Sequence, residues 1–188
     1  MIEKIHTKLE ATLLRAKQCH EIWWAFEGNR PDREEFVEIA NNYKNFFVPV
    51  VGSCFFTFML KLGSAFDDSK DSVSLQTYLK KLLASNNGLA DPEKSRIEAD
   101  LVGLWPKGRK LYKVRSKVFA HITFESFSTD FGAWTGFKLA DLNAVLDESI
   151  ELFSRMAKAH KDYDGSVFHL SPIEDLDAIF QGLRPSRT

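Results

Sequence analysis

The chain has 188 residues, with 25 Lys and Arg against 26 Asp and Glu and a formal net charge of −1. This length suits one domain with a real hydrophobic core and is short for two. The near-neutral charge argues against a protein that coats nucleic acid through bulk charge, so a nucleic-acid partner would have to bind to a local basic patch. We therefore predict one domain over residues 1–164, followed by a short helix and a flexible basic tail over residues 165–188.

Three features of the sequence predict a cytoplasmic protein. The stretch MIEKIHTKLEATLLRAK at the start is charged throughout and lacks the apolar core of a signal peptide. Cys19 and Cys54 lie in apolar helical segments without CxxC spacing, which predicts buried thiols in a reducing compartment. The uncharged segment Phe46–Leu60 is shorter than the ~20 residues of a spanning helix and contains Pro49 and Gly52, so we predict a central buried helix and no membrane span.

Most of the chain shows helical periodicity, with apolar residues at three- and four-residue steps. Asp32, followed by Glu35, and either Ser72 or Ser74 are the predicted N-caps. The aromatic stretch Phe124–Phe137 is poorly periodic and is expected to form an ordered loop packed on the helices. The predicted helices are Ile2–Phe26, a long helix from Asp32 to about Phe66 with a bend near Pro49, Leu75–Ala84, a helix from Asp91 that kinks or restarts at Pro106, a long helix from Leu139 to near Asp164, and Ile173–Leu183.

Long helices joined by short loops, without the alternation typical of strands, predict an all-α fold. The expected architecture is an up-and-down helical bundle of four to five main helices plus short helices. No internal repeat and no low-complexity segment interrupts the sequence.

The segment after Pro106 is cationic, because no Asp or Glu occurs between Asp100 and Glu125. Arginine can hold a phosphate through a planar fork of donors, and histidine exchanges a proton near neutral pH. These two side chains are a minimal set for cutting RNA without a metal ion. The basic residues that precede His121 are Lys107, Arg109, Lys110, Lys113, Arg115 and Lys117.

Spacing alone does not single out this arginine and histidine, since two other pairs have similar spacing. Arg15 with His20, and Arg155 with His160, lie amid mixed charges on ordinary amphipathic helices. In such a setting a solvated arginine and a half-buried histidine are the usual arrangement. Only the third pair lies in a segment of one charge sign.

On a straight helix Arg115 and His121 would be ~9 Å apart along the axis and rotated by ~120°. They could flank one extended phosphate, or converge only if a second copy of the chain supplied the opposing pair. A purely structural arrangement is also open. In that case Val114, Val118 and Ile122 form a buried stripe, the cations form a solvated face, and His121 is a favourable cation at the helix end.

The run Arg115–His121, RSKVFAH, resembles the signature of the HEPN superfamily (higher eukaryote and prokaryote nucleotide-binding domains). In that signature an arginine, a polar residue and a few others lead to a histidine, often as Ala-His. Two further segments resemble the abortive-infection U-type (AbiU-like) branch of this superfamily. One is the apolar helix that ends in Leu62…Ala65-Phe66-Asp67, and the other is Val73-Ser74-Leu75 with the following Lys80-Lys81-Leu82-Leu83. Together with the helix from Leu139, this resemblance spans most of Ile2–Tyr163.

The resemblance implies an all-α bundle that forms a homodimer through the helix carrying Arg115–His121, which we call the motif helix. It also implies a metal-independent endoribonuclease that cleaves single-stranded RNA in a toxin–antitoxin or phage-defence system, with no cofactor and with an antitoxin or defence partner. Arg115 would bind the scissile phosphate, His121 would act as general acid or base, and Ser116 would be the polar residue of the motif. The basic side chains expected to bind RNA are Arg109, Lys110, Lys113 and Lys117.

Two positions depart from the family pattern. The polar residue after the arginine is often Asn, Asp or His, whereas here it is Ser116, a weaker orienting group. Several toxin members carry a tyrosine two residues after the histidine, where a nucleotidyltransferase modifies it; this chain has Thr123 there. Other members have lost catalysis, so the alternative is a non-catalytic module that binds RNA or a protein partner.

Overall fold

The computed structural model describes residues 1–28, 30–85, 91–115, 137–160 and 163–183. Within these ranges the chain is helical and contains no strand, which confirms the predicted all-α class. A short 3-10 helix, Ser166–His169, precedes the last α-helix. The α-helices are α1 (Ile2–Glu27), α2 (Arg33–Asn42), α3 (Lys44–Ser64), α4 (Leu75–Ala84), α5 (Asp91–Val114), α6 (Leu139–His160) and α7 (Ile173–Leu183).

Helix α1 is the centre of the bundle and packs against α2, α3, α4, α6 and α7. Its apolar residues recur at three- and four-residue steps, so they form one stripe that faces the core. Leu9, Leu13 and Ala16 on this stripe are fully buried. The main core is formed where this stripe meets α3, α4, α5 and α6.

The prediction of one long helix from Asp32 to Phe66 is wrong in one respect. The chain breaks at Tyr43, which separates α2 from α3, and not at Pro49, which lies inside α3. Two consecutive asparagines, Asn41 and Asn42, precede the break, and asparagine favours helix ends over helix interiors because its side chain competes for backbone hydrogen bonds. Asp32 occupies the predicted N-cap position, where its carboxylate accepts a hydrogen bond from Arg30.

Other boundaries agree with the sequence. Ser74 caps α4, because its hydroxyl accepts a hydrogen bond from the Thr77 N–H at 3.3 Å. Helix α5 runs through Pro106, so of the predicted kink or restart at this residue the restart is wrong. Of the predicted aromatic loop, only Phe137 lies within the described residues, and it is buried.

Helix α3 is buried mainly toward its carboxyl end, with Phe47 the buried residue near its start, so the prediction of a central buried helix holds only in part. Phe58, Met59 and Leu62 are fully buried, whereas Phe46 is 62 % exposed and Val48 is 69 % exposed. Among the described residues, α3 is the one helix long and apolar enough to cross a membrane by length and composition. The expectation that it does not span a membrane stays a prediction.

The two cysteines lie on α1 and α3 and are both free thiols. Cys19 is buried and Cys54 is half-buried. Burial raises the pKa of the Cys19 thiol to about 11, so this thiol is protonated at neutral pH.

A second, smaller core joins α7 to the start of the bundle. Phe36 of α2 and Phe180 of α7 stack with ring centroids 4.3 Å apart, and Phe26 of α1 and Phe47 of α3 pack beside them. Helix α7 has the predicted bounds. Residues 184–188, predicted to form a flexible tail, lie outside the described residues, and the division of the chain at residue 164 stays a prediction.

Candidate functional site

Arg115 directly follows the last residue of α5, at the point where α5 passes the carboxyl end of α3. The two helices approach closely there because α3 has a glycine, Gly63, at the crossing. A Cβ atom added at Gly63 would lie 3.2 Å from the Leu111 carbonyl oxygen and 3.4 Å from the Arg115 Cβ. Glycine at this position therefore sets the distance between Arg115 and the end of α3.

The guanidinium of Arg115 has one carboxylate partner in the part of the chain that the structure describes. Its Nη1 lies 3.4 Å from Asp67 Oδ2, and its Cζ lies 5.6 Å from the ring centroid of Tyr112. The side chain is 33 % exposed. Since a guanidinium carries five N–H donors in a flat fork, this single contact leaves donors for a second anion such as a phosphate.

Asp67 is itself held in place. Its Oδ1 accepts a hydrogen bond from the Ser69 N–H at 2.9 Å, and its side chain is 19 % exposed. Burial raises the pKa of the Asp67 carboxyl, but the hydrogen bonds from Ser69 and the charge of Arg115 outweigh burial and leave the pKa below its ordinary value. Asp67 is therefore ionised at neutral pH.

Arg109 is used within the fold. Its Nη1 lies 2.8 Å from Asp68 Oδ1 and 3.4 Å from the carbonyl oxygen of Phe66. Its Cζ lies 4.6 Å from the ring centroid of Tyr112, so the ring has a guanidinium from each of two arginines near it. The RNA contact predicted for Arg109 would have to share its guanidinium with these groups.

Lys110 and Lys113 are exposed on the last turns of α5 and, three residues apart, lie on the same face of the helix. The Nζ of Lys110 lies 6.0 Å from the ring centroid of Phe137. Lys107 differs from both, because its Nζ donates to the Glu148 carboxylate at 3.0 Å. Among the described residues, the cationic face near Arg115 is therefore formed by Lys110 and Lys113.

The remaining members of the predicted site lie outside the described residues. These are Ser116 and His121 of the catalytic set and Lys117 of the RNA-binding set. Their assignments stay predictions. The geometry of the site accordingly rests on Arg115 and on the groups that surround it.

The histidines of the other two arginine–histidine pairs are used in packing. His20 is buried, and its Nε2 donates to Asn143 Oδ1 at 2.7 Å. His160 Nε2 lies 3.0 Å from Glu3 Oε2. Burial of His20 lowers the pKa of its imidazole, which favours the neutral ring.

Sequence reasoning missed three contributors to the Arg115 site, namely Gly63, Tyr112 and Asp67 as a carboxylate partner. Tyr112 could have been found, because it precedes Arg115 by three residues and such pairs meet on a helix surface. Gly63 and Asp67 come from another helix end. Nothing in the sequence alone pairs them with Arg115.

No group of three or more His, Cys, Asp and Glu side chains in the described ranges is arranged to hold a metal ion.

The comparisons with known proteins give one family. The chain matches the model of the HEPN family described as AbiU2 over residues 2–178. No curated protein and no solved structure matches the chain.

Proposed function

The chain belongs to the AbiU2 family of HEPN proteins, and from this membership we propose that it is a metal-independent endoribonuclease that acts in abortive infection. The observation that carries the proposal is the state of Arg115. It lies at the start of the motif, is one-third exposed, and has one carboxylate partner, at 3.4 Å, in the described part of the chain. An arginine in this state can bind a phosphate at any working pH.

In the proposed reaction the ribose 2′-hydroxyl attacks the adjacent phosphorus, and the bond from phosphorus to the 5′-oxygen of the next nucleotide breaks. The products are a 2′,3′-cyclic phosphate and a free 5′-hydroxyl. One histidine takes the proton from the 2′-hydroxyl, and another gives a proton to the leaving oxygen. Arg115 stabilises the charge that develops on the phosphate, and Ser116 donates or accepts a hydrogen bond beside it.

This scheme needs two proton-transfer groups, whereas the motif of one chain has one histidine, His121. We therefore propose a homodimer paired through the motif helix, so that two copies of Arg115 and His121 form one centre. Lys110 and Lys113 support the proposal, since their exposed face would contact the phosphates on either side of the cut.

The test is cleavage of a single-stranded RNA by the purified protein in excess EDTA. We expect cleavage with 2′,3′-cyclic phosphate ends, and no cleavage of the matching DNA, which lacks the attacking hydroxyl. Loss of cleavage in EDTA that a divalent ion restores would overturn the metal-independent reaction. Binding without cleavage under any condition would identify the non-catalytic RNA-binding module instead.

The same assay tests the shared centre. Arg115→Ala protein and His121→Ala protein are each expected to be inactive, and their mixture is expected to recover part of the cleavage. Recovery requires mixed dimers, whose shared centre holds one Arg115 and one His121. The rate should therefore stay well below that of the unaltered protein, because water must replace the second histidine in one of the two proton transfers. A protein that is strictly monomeric by light scattering at the assay concentration would refute the arrangement.

A further inference from the structure

The turn after α3 contacts Arg109 of α5, and Arg115 directly after α5, through consecutive carboxylates. Asp67 contacts Arg115, and Asp68 contacts Arg109. The two aspartates differ in how they are held. Asp67 is 19 % exposed and fixed by the Ser69 N–H, whereas Asp68 is 49 % exposed. The more firmly held carboxylate thus faces the arginine of the motif.

We propose that Asp67 is a positioning residue, which orients the guanidinium of Arg115 toward the scissile phosphate and at the same time opposes phosphate binding by its charge. This inference rests on the proposed function, in which Arg115 is the phosphate-binding group. It assigns to the turn after α3 a part in the reaction that the motif alone does not contain.

The orientation follows from three neighbours of Arg115. Gly63 allows the backbone near Arg115 to lie close to α3, and Tyr112 lies near the guanidinium. Asp67 accepts a hydrogen bond from Nη1 of Arg115. A long arginine side chain that is held in this way loses less freedom when the phosphate arrives. A positioned side chain can then contribute to the rate as well as to binding.

The opposition to binding follows from charge. Asp67 is ionised, and its carboxylate lies within 3.4 Å of the guanidinium that would hold the phosphate. A bound phosphate would therefore sit close to a carboxylate of the same sign, and such like charges repel each other. The consequences for rate and affinity have opposite signs, which a carboxylate that served only in packing would not produce.

The experiment compares Asp67→Asn with Asp68→Asn, which removes the same charge one residue away. For Asp67→Asn we expect kcat to fall by about ten-fold, because a misplaced catalytic group loses rate steeply, while KM for RNA falls as well. For Asp68→Asn we expect kcat to stay unchanged. Asp67→Glu keeps the carboxylate and is expected to recover part of the lost kcat. Thermal unfolding of each variant shows whether it is folded.

Equal effects of the two asparagine substitutions on kcat, or a rise in KM with Asp67→Asn, would overturn the inference. A second measurement keeps it separate from the proposed function. An RNA with a 2′-deoxy nucleotide at the cut site cannot react, and Asp67→Asn should bind it more tightly than the unaltered protein does. That gain should vanish when Arg115→Ala is also present.

If the unaltered protein does not cleave RNA, the proposed reaction fails, and this binding measurement alone decides the inference. Tighter binding that depends on Arg115 supports the pairing of Asp67 with an anion-binding arginine. Tighter binding that persists without Arg115 overturns it, because the charge of Asp67 would then act on the RNA by another route.

Discussion

Each end of helix α5 lies beside an arginine, and the two arginines differ in the number of carboxylates that they contact. Near its start, Glu93 and Asp100 both bind Arg155 of α6, with Arg155 Nε donating to Glu93 Oε1 at 2.9 Å. Near its end, Arg115 has one carboxylate partner among the described residues, Asp67 at 3.4 Å. Two carboxylates neutralise Arg155 and use both edges of its fork, whereas Arg115 keeps donors and exposed surface for another anion.

The difference between these arginines shows why their similar spacing to a histidine carries little information. Arg155 precedes His160 by five residues, as Arg15 precedes His20, and both histidines have partners within the fold. The capacity to bind phosphate depends on neighbouring carboxylates that come from other parts of the chain. Helix α5 has acidic residues in its first turn and Lys113 in its last, so it places one arginine beside acidic side chains and another beside basic ones.

The largest expected effect tests which histidine belongs to the reaction. His121→Ala should lower RNA cleavage by about two or more orders of magnitude, the scale for loss of a general acid–base group. RNA affinity and folding should change little. His160→Ala is the matched control, because it removes the same ring at the end of α6; we expect nearly unchanged cleavage with some loss of thermal stability. Cleavage rates, RNA binding and thermal unfolding of both variants provide the check.

The opposite result would reverse the comparison between the two ends of α5. If His160→Ala or His20→Ala abolished cleavage while His121→Ala did not, the reactive histidine would be one that already has a hydrogen-bond partner within the described helices. Arg115 would then belong to a solvated cationic face.

The fold was largely predictable, because helix periodicity and caps are local signals. The bounds of α4 and α7 and the cap at Ser74 follow from a few adjacent residues. The break at Tyr43 was missed, since Pro49 is the stronger helix breaker by residue type but lies within α3. The exposed end of α3 could not be foreseen either, because periodicity does not show which neighbours cover a helix.

The candidate site was predictable as a list of residue types but not as an arrangement. Arg115 and the exposed lysines could be named from charge and resemblance alone. Arg109 pairs with Asp68, and Arg115 pairs with Asp67. Each ion pair joins residues more than forty positions apart in the sequence. Such contacts leave no pattern in a single sequence.

A smaller effect is expected for the lysines of α5, and it separates exposed cations from paired ones. Lys113→Ala should weaken RNA binding and reduce the slope of log affinity against log salt by about one, as for the loss of one phosphate contact. Lys107→Ala is the control, because the Lys107 ammonium already pairs with Glu148. Affinities measured over a range of salt concentrations test both. Equal changes in RNA affinity and in its salt dependence for the two variants would show that an ion pair within the fold does not decide which lysine contacts RNA.

The smallest effect concerns His20, the buried member of its arginine–histidine pair. Burial lowers the pKa of its imidazole below the ordinary 6.5, since the charged ring is penalised in the core. The unfolded chain therefore takes up the proton at a higher pH than the folded chain does. Above pH 6.5 both states hold the neutral ring and the folded protein keeps its full stability. As the pH falls from 6.5 toward the lowered pKa, the free energy of unfolding should decrease, by at most about 1.4 kcal/mol per pH unit for one proton.

His20→Gln removes this titration and retains a group that can donate to Asn143 Oδ1, so its stability at neutral pH should be close to that of the unaltered protein. The measurement is urea unfolding of both proteins between pH 5 and pH 8. Other groups that titrate in this range contribute to both proteins alike, so the difference between the two curves isolates His20. We expect the curves to run parallel above pH 7 and to separate below pH 6.5, with the unaltered protein losing more stability. Parallel curves over the whole range would mean that His20 accepts a proton in the folded state as readily as in the unfolded chain, and its burial would then have no effect on its titration.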